Sequence, residues 1–239
     1  SISDRHPLSL GVPRRTPDAL SEHFQECDVV LAVGTRFAEA PIIESQTIIQ
    51  IDVDPSELGR NHPNTLGVLG DAKAALQQII QGLSNNDYQT TPKQDFFEDI
   101  REQRRSQAKN TQPQGEFIRV IREVMPDDGI LISGMTQVGY YSRWAYSVFE
   151  PRTYLTSSYY GNLGYAYPTA LGAKIAQPDR AVVAVSGDGG FLFNSQELAT
   201  AAMYGINAVV IVFNDNAFGN VYRDQTNRFD GRVIGSQLK

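Results

Sequence analysis

One stretch, Ala181 to Gly219, limits what this chain can fold into. It reads AVVAVSGDGGFLFNSQELATAAMYGINAVVIVFNDNAFG. Ala181 to Val185 is a short valine-rich apolar run, the pattern of a strand buried on both faces of a parallel sheet. It ends at Gly187-Asp188-Gly189-Gly190, where glycine lets the backbone turn sharply and approach a ligand closely. The residues beyond predict a helix with Asn194 as N-cap and Glu197 as its capping-box partner, stopped by Gly205. Asn207 to Phe213 reads as the next buried strand, closed by Asn214-Asp215-Asn216. The result is a βαβ unit with polar oxygens at the carboxyl ends of two parallel strands, where open α/β sheets bind ligands.

A right-handed crossover brings the carboxylates of Asp188 and Asp215 to the same edge of that sheet. Two carboxylates and a backbone carbonyl make a hard-oxygen site suited to Mg²⁺ or Ca²⁺, and Mg²⁺ is usually shared with the phosphates of a ligand. The N–H groups of Gly189 and Gly190, at a helix entrance, offer an anion cradle for such phosphates. The residues alone therefore predict a metal-bridged diphosphate. A plain strand-to-helix turn and a plain loop would explain neither the pairing nor the spacing.

GDGG, a crossover helix and NDNAFG together resemble the diphosphate-binding motif of thiamine diphosphate enzymes. The likeness is to the acetolactate synthase, pyruvate oxidase and benzoylformate decarboxylase group. That resemblance implies Asp188 and Asp215 as metal ligands and Ala217 as the residue giving a backbone carbonyl. Many members have Asn where this chain has Asp215, which keeps the ligand position and changes the charge of the site.

The 239 residues carry a net charge of −6, against a nucleic-acid surface, and their single cysteine, Cys27, excludes an intrachain disulfide. A reducing compartment, the cytoplasm, is the expectation. No apolar run approaches membrane-spanning length, and Ser1 to Leu10 lacks a signal-peptide core. The chain starts at Ser1 without Met, which suggests a cut beginning.

The expected fold is α/β: two units of parallel sheet with flanking helices. Residues 1–84 are read as part of a Rossmann-like central domain. A short helix from Thr16 to Phe24 is entered through Pro17, with strands at Asp28–Val33, Thr47–Val53 and Gly67–Leu69. A helix then runs from Asp71 to Gly82, with Ala75, Leu76, Ile79 and Ile80 available to pack. AVGTRF and IDVDPSELGRN are similar to words of the same family's central domain. No GxGxxG accompanies Gly34 and Asp52, which argues against a nicotinamide dinucleotide. Some family members carry FAD here. The acidic–basic stretch that follows the RF pair in those synthases is replaced by Ala38-Glu39-Ala40-Pro41, so FAD has no residue support.

Residues 85–114 read as a linker with one charged helix, Gln94 to Lys109, whose Arg101, Arg104 and Arg105 interleave with acids as on a solvated face. Residues 115–239 read as the diphosphate-binding domain, expected to be incomplete. It opens with a helix from Glu116 to Val124 that presents Phe117, Val120, Ile121 and Val124. A strand at Ile130–Ser133 leads to Gly134-Met135-Thr136-Gln137, and the family resemblance makes Thr136 and Gln137 donors to the terminal phosphate. The aromatics of Tyr140 to Phe149 read as core or subunit interface. A strand at Thr153–Thr156 precedes Gly161-Asn162-Leu163-Gly164, and a helix of small residues spans Pro168 to Ala176. GNLG resembles the segment that holds the aminopyrimidine. The resemblance makes the Gly161 carbonyl an acceptor and Leu163 the wedge beneath the folded cofactor.

What the family implies is a 2-keto acid substrate, thiamine diphosphate and Mg²⁺, and carboligation, decarboxylation or oxidation. It also implies a homodimer or homotetramer assembled through a pyrimidine-binding domain that supplies the activating glutamate. No segment here matches that domain, and Glu116, Glu123, Glu150 and Glu197 are poor substitutes. No catalytic acid or base is assigned on this chain, and His6, His23 and His62 are read as structural. Two readings stand beside this one: a nonenzymatic module that binds a metal–diphosphate, and a nicotinamide-dependent oxidoreductase.

Overall fold

The structure is a computed structural model that describes residues 2–13, 18–38, 40–86, 94–157 and 160–238. It divides into two compact units, Leu10–Arg104 and a larger one made of Ser1–Ser9 with Arg105–Lys239. Helix α3 (Gln94–Asn110) straddles the division, so the segment read as a linker is shared between the units. Ser1–Ser9 belongs with the larger unit: Asp4 exchanges backbone and side-chain bonds with Val148, and Arg5 pairs with Asp127.

The smaller unit is a three-stranded parallel sheet, β1 (Val29–Val33), β2 (Thr47–Asp52) and β3 (Thr65–Leu69), in that order. Its helices are α1 (Ala19–Glu26) and α2 (Ala72–Asn85). Asp18 caps α1 by accepting from the Ser21 N–H at 2.8 Å, and Asp71 caps α2 by accepting from Ala74 N–H at 2.9 Å. The helix expected from Thr16 thus starts at Ala19; Thr16 and Pro17 themselves lie outside the described residues. Arg104 was expected on a solvated face and is buried instead. It donates to Asp18 at 3.1 Å and to the Val12 carbonyl at 2.9 Å. None of the expected packing residues of α2 is buried.

The larger unit is a four-stranded parallel sheet. Its strands are β4 (Ile130–Ser133), β5 (Tyr154–Thr156), β6 (Val182–Gly187) and β7 (Val209–Phe213), in the spatial order β5-β4-β6-β7. Helix α4 (Gln114–Val124) precedes β4, the intervening helices are α5 (Gln137–Ala145), α6 (Ala166–Ala176), α7 (Asp188–Leu192) and α8 (Glu197–Tyr204), and α9 (Gly219–Arg228) follows β7. Alternate residues of β4 and β6 enter two cores. Leu131 and Val185 pack with Ile118, Ile121, Tyr141 and Tyr146 on one face. Ile130, Ile132, Val182 and Ala184 pack with Ala166 and Ala170 on the other. Both central strands are therefore covered on both sides, as a continuous apolar run requires.

Three sequence expectations change here. The buried residues of α4 are Gly115, Ile118 and Ile121, while Phe117, Val120 and Val124 are exposed, so the buried stripe is turned from the expected one. Among the described residues strand β7 lies at the edge of the sheet with Val209 and Val212 exposed, where a fully buried strand was expected. The helix after GDGG is two pieces: α7 starts at Asp188 itself, and the N-cap of α8 is Gln196. Asn194 is committed elsewhere, donating to the Gly164 carbonyl at 2.7 Å, and Glu197 accepts from the Thr200 hydroxyl. Gly205 does end α8, in the left-handed conformation at φ 62°.

Candidate functional site

The chain leaves β4 for β5 on one side and then crosses to β6 on the other, so the strand order reverses between β4 and β6. That reversal is where the carboxyl ends of parallel strands open a crevice. The crevice is kept narrow by glycine: a Cβ on Gly134 would stand 2.6 Å from the Val185 carbonyl oxygen. At this edge lies a cavity of about 410 Å³, lined by the loops after β4, β5, β6 and β7.

The residues expected from the sequence to bind the cofactor and metal all line this cavity. Thr136 and Gln137 come from the loop after β4, Gly161 and Leu163 from the loop after β5. Asp188, Gly189 and Gly190 follow β6, while Asp215 and Ala217 follow β7. Gly187 and Phe213 are register partners in adjacent parallel strands, which puts Asp188 and Asp215 at one end of the sheet. The site belongs wholly to the larger unit.

Thr136 is the N-cap residue of α5, and its side chain makes no cap hydrogen bond. Gly189 and Gly190 are buried in the first turn of α7, where a helix has no internal acceptor for its N–H groups. With five residues α7 adds little dipole, so any anion affinity here rests on the amides themselves. Gly161 is left-handed at φ 63°, and a Cβ there would meet Met135 Cε at 3.0 Å. Gly164 is left-handed too, at φ 77°, with Asn194 against it. Leu163 is partly buried, its Cδ2 3.7 Å from where a Cβ on Gly190 would sit.

Asp215 lies over the start of α9: a Cβ on Gly219 would be 2.6 Å from its Oδ2. Its Oδ1 accepts weakly from the Ala217 N–H at 3.3 Å. Asn216 turns the chain in the left-handed region at φ 55°. The next residues pair with a late segment of the chain through an antiparallel bridge between Ala217 and Gln237. Phe218 N–H donates to the Ser236 carbonyl at 2.8 Å, and Leu238 N–H to the Asn216 carbonyl at 2.7 Å. In such a pair the bonds belong to the flanking residues, so the Ala217 carbonyl points away from its partner strand.

Among the described residues no group of three or more His, Cys, Asp or Glu side chains is arranged around a metal. Asp188, Asp215 and Ala217 nonetheless line one cavity, and two carboxylates with a backbone carbonyl are the kind of oxygen donors Mg²⁺ takes, with phosphates completing the shell. The donor set therefore fits.

Sequence reasoning missed the apolar wall of the cavity: Met135, Tyr140, Phe213, Phe218 and Val221. It also missed Asn220, whose Oδ1 accepts from Arg223 at 2.7 Å and from Gln137 at 3.3 Å. Phe218 to Val221 directly continue NDNA at the strand's carboxyl end, and that position was the available signal. Of the aromatics of Tyr140 to Phe149, expected as core or subunit interface, Tyr141 and Tyr146 lie in the core. Beneath them Ser133, Ser142 and Tyr154 share a buried hydroxyl chain, and burial pushes the Tyr154 phenol above its ordinary pKa. His62 bonds the Phe37 carbonyl, and His23 packs on Phe96; both lie in the smaller unit.

Residues 137–239 match the thiamine pyrophosphate enzyme C-terminal TPP binding domain, and residues 1–79 match the central domain of the same enzymes. The chain is 32% identical to a probable acetolactate synthase large subunit of Methanococcus aeolicus, over 97% of this chain and 43% of the relative. It is 30% identical to an acetolactate synthase of Arthrospira platensis, over 100% of this chain and 44% of that one. A probable 2-ketoarginine decarboxylase of Pseudomonas aeruginosa is 31% identical, over 90% and 39%. The chain thus spans less than half the length of these curated relatives. With both domains matched in order, and the cavity sitting in the second, the chain belongs to the thiamine pyrophosphate enzyme family.

Proposed function

We propose that this chain supplies the diphosphate and metal half of an active site acting on a 2-keto acid, in an acetolactate synthase-like carboligation or decarboxylation. The observation that carries the reading is the convergence of two carboxylates, two buried glycine amides and Leu163 on one cavity at the sheet's switch point. The relatives' names, acetolactate synthase and 2-ketoarginine decarboxylase, support the substrate class.

In this reading Asp188, Asp215 and the Ala217 carbonyl hold Mg²⁺. The amides of Gly189 and Gly190, with Thr136 and Gln137, hold the phosphates. Gly161 accepts from the aminopyrimidine, and Leu163 shapes the cofactor from below. Thiamine diphosphate, when bound, supplies the nucleophilic carbon and the electron sink. The chain's own part is orientation and charge: it neutralises the diphosphate and keeps an apolar wall of Phe213, Phe218 and Val221 against the ligand. Among the described residues that line the cavity, Asp188, Asp215 and Tyr140 are the ones with acidic side chains, and in this reading both carboxylates are committed to the metal. A proton relay has to come from a partner segment, which fits assembly as a homodimer or homotetramer.

The test is a calorimetric titration of the full-length protein with thiamine diphosphate across Mg²⁺ concentrations. Asp188→Ala should abolish saturable binding at millimolar Mg²⁺, because a diphosphate would face the site without its counter-charge. Unchanged affinity would overturn the metal assignment.

A further inference from the structure

The loop that carries Asp215 and Ala217 is paired with a strap, Ile234–Leu238, and one side chain of α9 ties into that strap. Gln225, on the second turn of α9, donates from Nε2 to the Ile234 carbonyl at 2.9 Å and accepts at Oε1 from the Ile234 N–H at 3.2 Å. The Ser236 hydroxyl donates to the same Oε1 at 2.8 Å. A primary amide is the side chain that can satisfy both groups of one peptide residue at once. Ser236 is fully buried, and its carbonyl receives the Phe218 N–H. Leu238 then ties back to Asn216 and reaches toward Gly189, standing 3.2 Å from where a Cβ there would lie. Fixed by Gln225, the strap thus sets the peptide planes on both sides of Ala217.

We propose that Gln225 is the positioning residue for the Ala217 carbonyl: through the strap it aims that oxygen into the cavity beside Asp215. The proposal rests on reading Asp215 and Ala217 as oxygen ligands. Gln225 touches neither metal nor cofactor. Its effect is geometric, since a carbonyl contributes to a small, rigidly octahedral ion only when its direction is set in advance. Asn216 strengthens the case. Its left-handed turn at φ 55°, a conformation Asn adopts more readily than other side chains, is held by its N–H on Asn214 Oδ1 and, from the strap, by the Leu238 N–H on its carbonyl.

The experiment compares wild type, Gln225→Leu, Gln225→Glu and Asp188→Ala in the full-length protein. It reads the Mg²⁺ concentration giving half-maximal thiamine diphosphate binding, and hydrogen exchange of the Phe218 and Leu238 amides without cofactor. Gln225→Leu should speed exchange at both amides and raise the Mg²⁺ midpoint by about 10–100-fold, the usual cost of losing a group that orients a ligand. Cofactor affinity at saturating Mg²⁺ should stay near wild type, a split that general destabilisation would not produce. Gln225→Glu keeps the two acceptor bonds and should fall between. If Gln225→Leu does not fold, Ser236→Ala removes one bond of the same set and should shift the midpoint in the same direction. An unmoved midpoint in these variants, with Asp188→Ala impaired, overturns the positioning role alone. Unchanged binding in Asp188→Ala overturns the metal reading and the positioning role with it.

Discussion

A Cβ on Gly189 would stand 2.6 Å from the Phe218 ring and 3.2 Å from Leu238. The second glycine of GDGG is therefore demanded by packing against the loop after β7, in addition to any approach of phosphate. Gly189→Ala should cost about 1–3 kcal/mol, the usual penalty of overpacking. Displacing Phe218 should also disturb the neighbouring Ala217. Chemical denaturation checks the first effect, and a raised Mg²⁺ requirement the second. Leu163 makes the opposite kind of contribution. Losing a buried leucine costs about 2–5 kcal/mol in a closed core, but this one is half-buried at a cavity edge, so Leu163→Ala should weaken cofactor binding only modestly. Turnover should fall further than affinity, because the wedge shapes the bound cofactor and does not anchor its diphosphate. Steady-state rates beside calorimetry separate the two, and collapsed affinity with intact turnover would make Leu163 an ordinary packing residue.

At the scale of elements, α1 and α3 are joined by a buried ion pair. Asp18 accepts from Ser21 with one oxygen and from Arg104 with the other, and both side chains are nearly inaccessible. Arg104→Leu should destabilise the smaller unit by about 3–5 kcal/mol, since it strands a buried carboxylate. A denaturation midpoint indistinguishable from wild type would show that the pair carries no such weight. This pair also shows where sequence reading fails. Arg104 sits among Arg101, Arg105 and Glu102, and composition alone makes such a stretch a solvated face. Its burial depends on Asp18, far away in the chain. The same holds for Asn194, which fits a helix cap locally but is drawn off by the Gly164 carbonyl. In α4 apolar residues occupy more than one stripe, and contact with Leu131 and Val185 selects Ile118 and Ile121 over Val120. The site loops were legible for the opposite reason: glycines, carboxylates and valine runs at strand ends are local signals, and parallel topology brings them together unaided. The strap was not legible, because its grip on Ala217 runs through backbone groups that any sequence has.

On the proposed reading the molecule carries one half of a site, and binding and catalysis then make different demands on it. The cavity holds carboxylates, amides and an apolar wall, and its remaining ionisable group is the Tyr140 phenol. Binding needs only the first set. Catalysis needs the aminopyrimidine placed against a proton relay, and misplacement alone can cost about a hundredfold in rate. Loss of the relay adds a general acid–base factor of roughly 10²–10⁴. Residues 1–239 by themselves should therefore bind thiamine diphosphate weakly and only with Mg²⁺, and should not measurably consume pyruvate or another 2-keto acid. The assay is the purified 239-residue chain with cofactor and Mg²⁺, keto-acid loss followed by absorbance, and cofactor binding measured in parallel. Binding without turnover is the expected result. Robust turnover would mean that an acid–base group within these residues reaches the cavity, with Tyr140 the first to test by Tyr140→Phe.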